Sequence, residues 1–298
     1  MGKDFLVRFD FAIKKLLRNK ANFGILEGFI EVFLGKKCKI QEILESEGNQ
    51  DTSDDKFNRV DIKAKDDKGE IFIVEVQTTR YTYYLERILY GVSKAITEQI
   101  GNGKRYGVIK QVFSISIVYY DLGIGDDYFY ECKSDFYGVH THTVLQLNKR
   151  EELSVEEIKK DDSRKYKYVP KTAADIFPRY YLIRINSFRK VVADAMDEWM
   201  DFLKNNSIKD DTTVPGLVAA KEHLQYAKMT PEERYSYDKH LESIEFETDA
   251  ISSAKNEGRA EGEKQKAITI ARTMKQHGDD IDYIALITGL TKDEILVL

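Results

Sequence analysis

Two carboxylates and an amide form the strongest chemical pattern in the chain: Asp61, thirteen residues, then Glu75-Val76-Gln77. Between them a turn-forming Asp67-Lys68-Gly69 separates the alternating run IKAKD from the β-branched run IFIVEVQ, which reads as a β-hairpin. If Asp66 and Glu70 close a three-residue turn with Gly69 in the left-handed region, cross-strand partners sum to 136 and Asp61 faces Glu75. Both acids then share one face of the sheet. Like charges opposed across a ladder cost roughly 0.2–1 kcal/mol, a penalty that a divalent cation between them removes. Hard carboxylate oxygens suit Mg²⁺ or Mn²⁺. Gln77, two residues beyond Glu75, projects from the same face, while Val74 and Val76 turn to the other side. A slip of one residue would pair Asp61 with Val74 and leave two unrelated acids on a polar sheet surface.

These residues need elements to hold them. Residues 9–35 carry apolar side chains near helical spacing, with Asn22 as a cap between two helical segments. Residues 40–44 precede a polar, turn-rich stretch at 45–55, and the hairpin strands follow. Residues 82–100 recover a helical period through Leu85, Ile88, Leu89, Val92, Ala95, Ile96 and Ile100, stopped by Gly101. A long strand follows over 108–123, with shorter ones at 127–132 and 144–147. Strands around a crossover-length helix make an α/β core over about residues 1–150. Beyond 151 the composition turns charged and helical: EELSVEEIKK, SFRKVVADAMDEWMDFLKN and PEERYSYDKHLESI read as amphipathic helices of an extension over 151–249. Residues 250–298 form a charged helical tail, in which Gly258 and Gly262 each weaken the helix by about 1 kcal/mol relative to Ala. The tail ends in two apolar turns around Gly289 and Thr291, like a small helix-turn-helix. Without a basic second helix, this end reads as a packing or oligomerisation cap, which allows a homo-oligomer through the C-terminal helices.

Composition bounds the function. The chain has 298 residues, 42% hydrophobic and 33% charged, with 18 Tyr, 15 Phe and only 4 Pro, so it can bury a core without staples. Cys38 and Cys132 fall into no C-x-x-C pattern, which excludes a disulfide framework or thiolate zinc site and fits a reducing, cytoplasmic home. The first residues carry charges where a signal peptide needs an apolar run, and no stretch approaches about 18 uncharged apolar residues. No membrane association is expected. A net charge of −5 means nucleic-acid binding must rest on local patches. Residues 1–20 hold one, with Lys3, Arg8, Lys14, Lys15, Arg18 and Lys20 against Asp4 and Asp10, readable as a phosphate-binding patch or a solvated helix face. No G-x-x-x-x-G-K-[ST] or G-x-G-x-x-G loop occurs, so no nucleotide cofactor is expected. His140 and His142 share a face of any strand through 139–144, but two ligands do not make a zinc site.

The run NRVDIKAKDDKGEIFIVEVQTTRYTYYLERILYGVSKAITEQI resembles the PD-(D/E)XK nuclease superfamily. More narrowly, it is similar to the Rpn-like recombination-promoting nucleases, also described as PD-(D/E)XK family transposases. The likeness extends upstream to FAIKKLLRNKANFGILEGF, downstream to VFSISIVYYDLG, and to the tail EGRAEGEKQKAITIARTM…ITGLTKDEI, covering most of the chain. It implies a restriction-endonuclease-like fold, a mixed central sheet flanked by helices. The implied activity is metal-dependent DNA endonuclease chemistry promoting recombination or transposition.

Carried onto this sequence, the resemblance makes Asp61 and Glu75 metal ligands for Mg²⁺ or Mn²⁺ and the Val76 carbonyl a further ligand. Gln77 occupies the position of the superfamily lysine. A neutral amide there can orient and hydrogen-bond but not supply positive charge to the transition state. Lys63, two residues after Asp61 on the same face, can replace that cation or simply be a solvated strand lysine. Glu27 matches the first-helix acid that some members add to the metal site, with Glu31 competing one turn later. Arg87 and Tyr90 resemble family positions on the helix after the Glu-x-Gln strand, where Arg87 can contact a phosphate or join a helix-surface ion pair. A different outcome is also consistent with Gln77: a weakened nuclease fold serving as a DNA- or protein-binding scaffold.

Overall fold

The computed structural model describes residues 6–15, 19–44, 61–100, 105–152, 166–188 and 191–298. The chain divides into two compact units, Met1–Glu232 and Glu233–Leu298. Strands of the first unit are β1 (Ile40–Leu44), β2 (Ile62–Asp66), β3 (Ile71–Gln77), β4 (Val112–Val118), β5 (Phe129–Cys132), β6 (Leu147–Glu152), β7 (Tyr166–Lys171) and β8 (Arg179–Arg184). Its helices are α1 (Phe9–Lys15), α2 (Phe23–Leu34), α3 (Tyr84–Thr97), α4 (Ala195–Asn205) and α5 (Leu217–His223).

Six strands form one mixed sheet in the order β1-β2-β3-β4-β8-β5, and β6 and β7 pair as a separate ribbon. β1, β2 and β3 are antiparallel neighbours, β3, β4 and β8 run parallel, and β5 returns antiparallel to β8. β3 and β4 lie at the centre with helices on both faces, which is why IFIVEVQ and VFSISIV are nearly continuous apolar runs. On one face α3 crosses from β3 to β4, packing Val92 and Ala95 onto Ile71, Ile73 and Val112. The other face carries Phe72 stacked on Phe113 at 4.9 Å.

α1, α2 and α4 meet in an aromatic cluster, where Phe29 lies 5.7 Å from Phe9 and 5.2 Å from Trp199. The Trp199 indole satisfies its only donor on the Pro215 carbonyl at 3.1 Å. α2 can approach that turn so closely only at Gly28, where a Cβ would meet the Gly216 backbone nitrogen at 2.1 Å. Gly216 itself sits at φ +82°.

The second unit is built on α6 (Pro231–His277), with α7 (Ile281–Thr288) and α8 (Lys292–Leu296) at its end. The segments that read as separate helices are one, continuous through Gly258 and Gly262. Ala271, Ile284, Leu290 and Ile295 form a small buried cluster. The expected turn is built from local chemistry: Gly289 ends α7 at φ +72°, and Thr291 and Glu294 form a reciprocal capping box. Lys275 donates to the Ile295 and Leu296 carbonyls at 3.0 and 2.8 Å, satisfying the open end of α8.

Several sequence expectations are corrected. The helical reading of the second half fails at RYYLIR, which is β8 and enters the central sheet between β4 and β5. Its six residues are too few to stand out in a charged region, yet Tyr181 and Ile183 are buried there. Val144 makes only an isolated bridge with Tyr137, and the strand begins at Leu147 and takes the first two residues of EELSVEEIKK. The rest of that segment lies outside the described residues, as do Asn58, Arg59 and Val60. Asn22 stands at the N-cap position of α2 as expected but makes no side-chain cap bond there, and Asn19 caps the short turn before it, accepting the Ala21 N–H at 3.0 Å. β4 covers only Val112–Val118 of the longer strand read from the sequence. Of the basic N-terminal patch, Arg8 is held by Asp10 at 3.0 Å.

Candidate active site

The hairpin register builds the site. Gly69 takes φ +79°, the Asp66 N–H bonds the Glu70 carbonyl at 3.1 Å, and Ile62 pairs with Val74. Every observed β2–β3 pair sums to 136, so one step further Asp61 stands opposite Glu75. Asp61 precedes β2 and its Oδ2 accepts the Val76 N–H at 2.6 Å. In a strand the N–H and C=O of one residue point to the same side, so the Val76 carbonyl also leaves β3 toward Asp61. Gln77 faces β4, where its carbonyl accepts the Tyr119 N–H at 2.9 Å.

Glu75 is 4% exposed, on the sheet face covered by α3. Arg87, in the second turn of α3, donates to Glu75 Oε1 at 3.4 Å. Oε2 is buried and completes no hydrogen bond. Burial pushes the carboxyl up to about 7, opposed by the Arg87 guanidinium and reinforced by Asp61. A buried acid poised near neutrality, beside a second acid and a backbone carbonyl, is a set of hard oxygens that fits a divalent cation.

Two further polar groups converge here that the sequence pattern did not single out. Tyr84, four residues before Ile88 on the apolar stripe of α3, is buried with its hydroxyl near Glu75 and Ser116. Ser116 is buried and lies beside Glu75 in the parallel β3–β4 register. The signal was present: VFSISIV carries serine at alternate positions, on the face that its neighbour devotes to Ile73 and Glu75.

Other predicted site residues lie elsewhere. Lys63 pairs with Ile73 and its ammonium is bonded to Glu98 near the end of α3, so the structure does not bring this cation to Asp61 and Glu75. Glu27 accepts from the Ile40 N–H at 2.8 Å and from Lys39 at 3.1 Å, anchoring the start of β1. Glu31 pairs with Lys37 at 3.4 Å. Tyr90 is partly exposed on α3, one turn after Arg87. His140 and His142 sit in an exposed turn with His142 at φ +54°, not on a strand. Among the described residues no three His, Cys, Asp or Glu side chains group as a metal cluster.

A family model described as PD-(D/E)XK nuclease family transposase matches residues 7–257. The chain belongs to that family. The match takes in the whole six-stranded sheet and ends within α6, so residues 258–298 and the two short terminal helices lie beyond it. No curated protein and no solved structure matches the chain. Membership carries a nuclease-like role and agrees with the mixed sheet and flanking helices. Among the described residues no helix is long and apolar enough to cross a membrane.

Proposed function

We propose that the protein is a metal-dependent DNA endonuclease that hydrolyses phosphodiester bonds and so promotes recombination or transposition in the cytoplasm. One observation carries the reading: Glu75 is a buried carboxylate with an oxygen that completes no hydrogen bond, set opposite Asp61, which immediately precedes the neighbouring strand. Asp61, Glu75 and the Val76 carbonyl would hold Mg²⁺ or Mn²⁺, a small donor set of the kind Mg²⁺ accepts when water and substrate phosphate complete its shell. Such an ion neutralises phosphate charge and lowers the pKa of water.

The chain's own residues do the positioning. The Asp61 carboxylate is fixed by the Val76 N–H, and Glu75 is steadied by Arg87. Gln77 lies two residues on, where its amide can hydrogen-bond the attacking water without supplying charge. Arg87 is near enough to turn toward a scissile phosphate when one is bound, and Tyr90 follows on the same helix. The C-terminal helices beyond the family match would join two copies of the chain.

A second reading is favoured by Gln77 and by the Lys63–Glu98 pair, which together leave the expected cation unreplaced. It makes the protein a weakened nuclease fold that binds DNA or a protein partner. Cleavage of supercoiled plasmid with Mg²⁺, Mn²⁺, Ca²⁺ or EDTA separates the two. Wild type should nick or linearise the plasmid in Mg²⁺ or Mn²⁺ and lose this in EDTA, in Asp61→Ala and in Glu75→Ala. Equal activity in all three proteins refutes the site, and no activity from folded wild type favours the scaffold.

A further inference from the structure

The loop at 78–83, Thr-Thr-Arg-Tyr-Thr-Tyr, leaves the C-terminal end of β3 directly after Gln77 and leads into α3. In open α/β sheets ligands sit outside the carboxyl ends of the parallel strands, so this loop borders whatever Asp61 and Glu75 act on. Its aromatic side chains face solvent. Tyr81 is 48% exposed and Tyr83 73%, with Arg80 exposed between β3 and both rings.

The loop is also footed on the site. The Arg87 guanidinium lies 5.4 Å from the Tyr81 ring centroid and reaches Glu75 with the same group. The Tyr120 hydroxyl lies against the Tyr81 backbone, and the Tyr120 ring meets buried Tyr84 edge-on at 6.3 Å. A single guanidinium therefore connects a solvent-facing aromatic ring to the buried acid.

Exposed tyrosines on a supported loop offer flat faces, and flat faces recognise unpaired bases. In a duplex those faces are stacked on one another and only base edges and phosphates are presented. A protein with net charge −5 has little bulk attraction for phosphates, so affinity rests on local features, here two exposed rings beside exposed Arg80. We infer that the 78–83 loop is a stacking platform for unpaired nucleobases, delivering single-stranded or locally opened nucleic acid to Asp61 and Glu75. The inference rests on the nuclease reading for the class of ligand.

The test is fluorescence anisotropy in EDTA, with the full-length chain and a labelled mixed-sequence 20-mer, offered single-stranded or as a blunt duplex. Wild type binds the single strand more tightly than the duplex. Tyr83→Ala weakens single-strand binding about 5–100-fold and leaves duplex binding within about twofold. Tyr83→Phe stays within about twofold of wild type on both, because the ring and not the hydroxyl stacks. Tyr83 is exposed, so Tyr83→Ala should melt with wild type, and Tyr81→Ala, whose ring also carries Arg87, gives a second loss. An oligoribonucleotide bound with the same Tyr83 dependence supports the platform and moves the substrate to RNA. Equal or tighter duplex binding, an unchanged Tyr83→Ala, or self-association that depends on Tyr83 with no nucleic acid bound each overturns it. Metal-dependent plasmid nicking without Tyr83 dependence overturns the platform alone. Tyr83-dependent single-strand binding without cleavage in any metal overturns the nuclease reading alone.

Discussion

The β2–β3 hairpin carries an opposed pair of acids at each end, and the two pairs meet different fates. At the closed end Asp66 faces Glu70; at the open end Asp61 faces Glu75. The odd spacing of five between Asp61 and Asp66 puts the pairs on opposite sheet faces. Asp66 Oδ1 accepts the Lys68 and Glu70 N–H groups at 3.0 and 2.8 Å, and Lys36 neutralises Glu70 at 2.6 Å. Burial raises the Asp66 pKa, but its backbone hydrogen bonds pull the other way. Glu75 receives no backbone N–H among its hydrogen bonds; Arg87 reaches it in a stretched contact, the Tyr84 hydroxyl lies close by, and burial still raises its carboxyl to about 7. Each acid keeps one partnerless oxygen, Asp66 Oδ2 and Glu75 Oε2. The turn pair is answered by two backbone N–H groups and Lys36, whereas at the open end Asp61 takes the Val76 N–H and Glu75 keeps a buried oxygen that completes no hydrogen bond. Acid type and cross-strand placement are equal in the two pairs, so the surroundings decide the role.

The sharpest way to break this comparison is to remove each pair in turn. Asp61→Ala and Glu75→Ala should each lower Mg²⁺-dependent plasmid cleavage by more than about 100-fold. Asp66→Ala should retain cleavage and instead lose about 1–2 kcal/mol of stability, seen as an earlier denaturant midpoint. The reverse pattern would refute the assignment. A second effect concerns pH. A carboxyl whose folded pKa lies above its unfolded value stabilises the fold below about 4.5, and that contribution disappears as pH rises through about 7. In metal-free buffer Glu75→Gln should therefore be more stable than wild type above pH 7, by up to roughly 3 kcal/mol, and the gain should vanish near pH 4. Urea unfolding at both pH values checks it. Next in size, Gln77→Lys should raise cleavage by about 10-fold if a cation at this position is what the site lacks. A fall in initial rate would instead tie the amide to this site's own chemistry. The smallest effect is at the turn: Gly69→Ala, at φ +79°, should cost about 1 kcal/mol and leave metal dependence intact, checked by thermal melting.

The hairpin was legible because its information is local. A glycine with positive φ and a three-residue loop set the register, and the register places Asp61 against Glu75. α3 was legible from its apolar stripe, and the terminal turn from Gly289 and the Thr291–Glu294 pair. β8 was not, because its place between β4 and β5 depends on a partner more than sixty residues away in sequence. Ser116 comes beside Glu75 only through the parallel β3–β4 register, and Tyr84, though close in sequence, only through the seating of α3 on the sheet. Lys63 illustrates the reverse. Strand alternation puts it on the face of Asp61, but Glu98 at the far end of α3 captures its ammonium.

What the amino-acid order determines by itself is therefore the hairpin, its register, α3, the terminal turn and the family, since each depends on short-range backbone preferences or on a linear pattern of residues. Which acid is buried, which keeps an unanswered oxygen and which cation is drawn away were decided by the tertiary structure. Desolvation and Coulomb energy depend on what packs around a charge, and those neighbours come from distant parts of the chain.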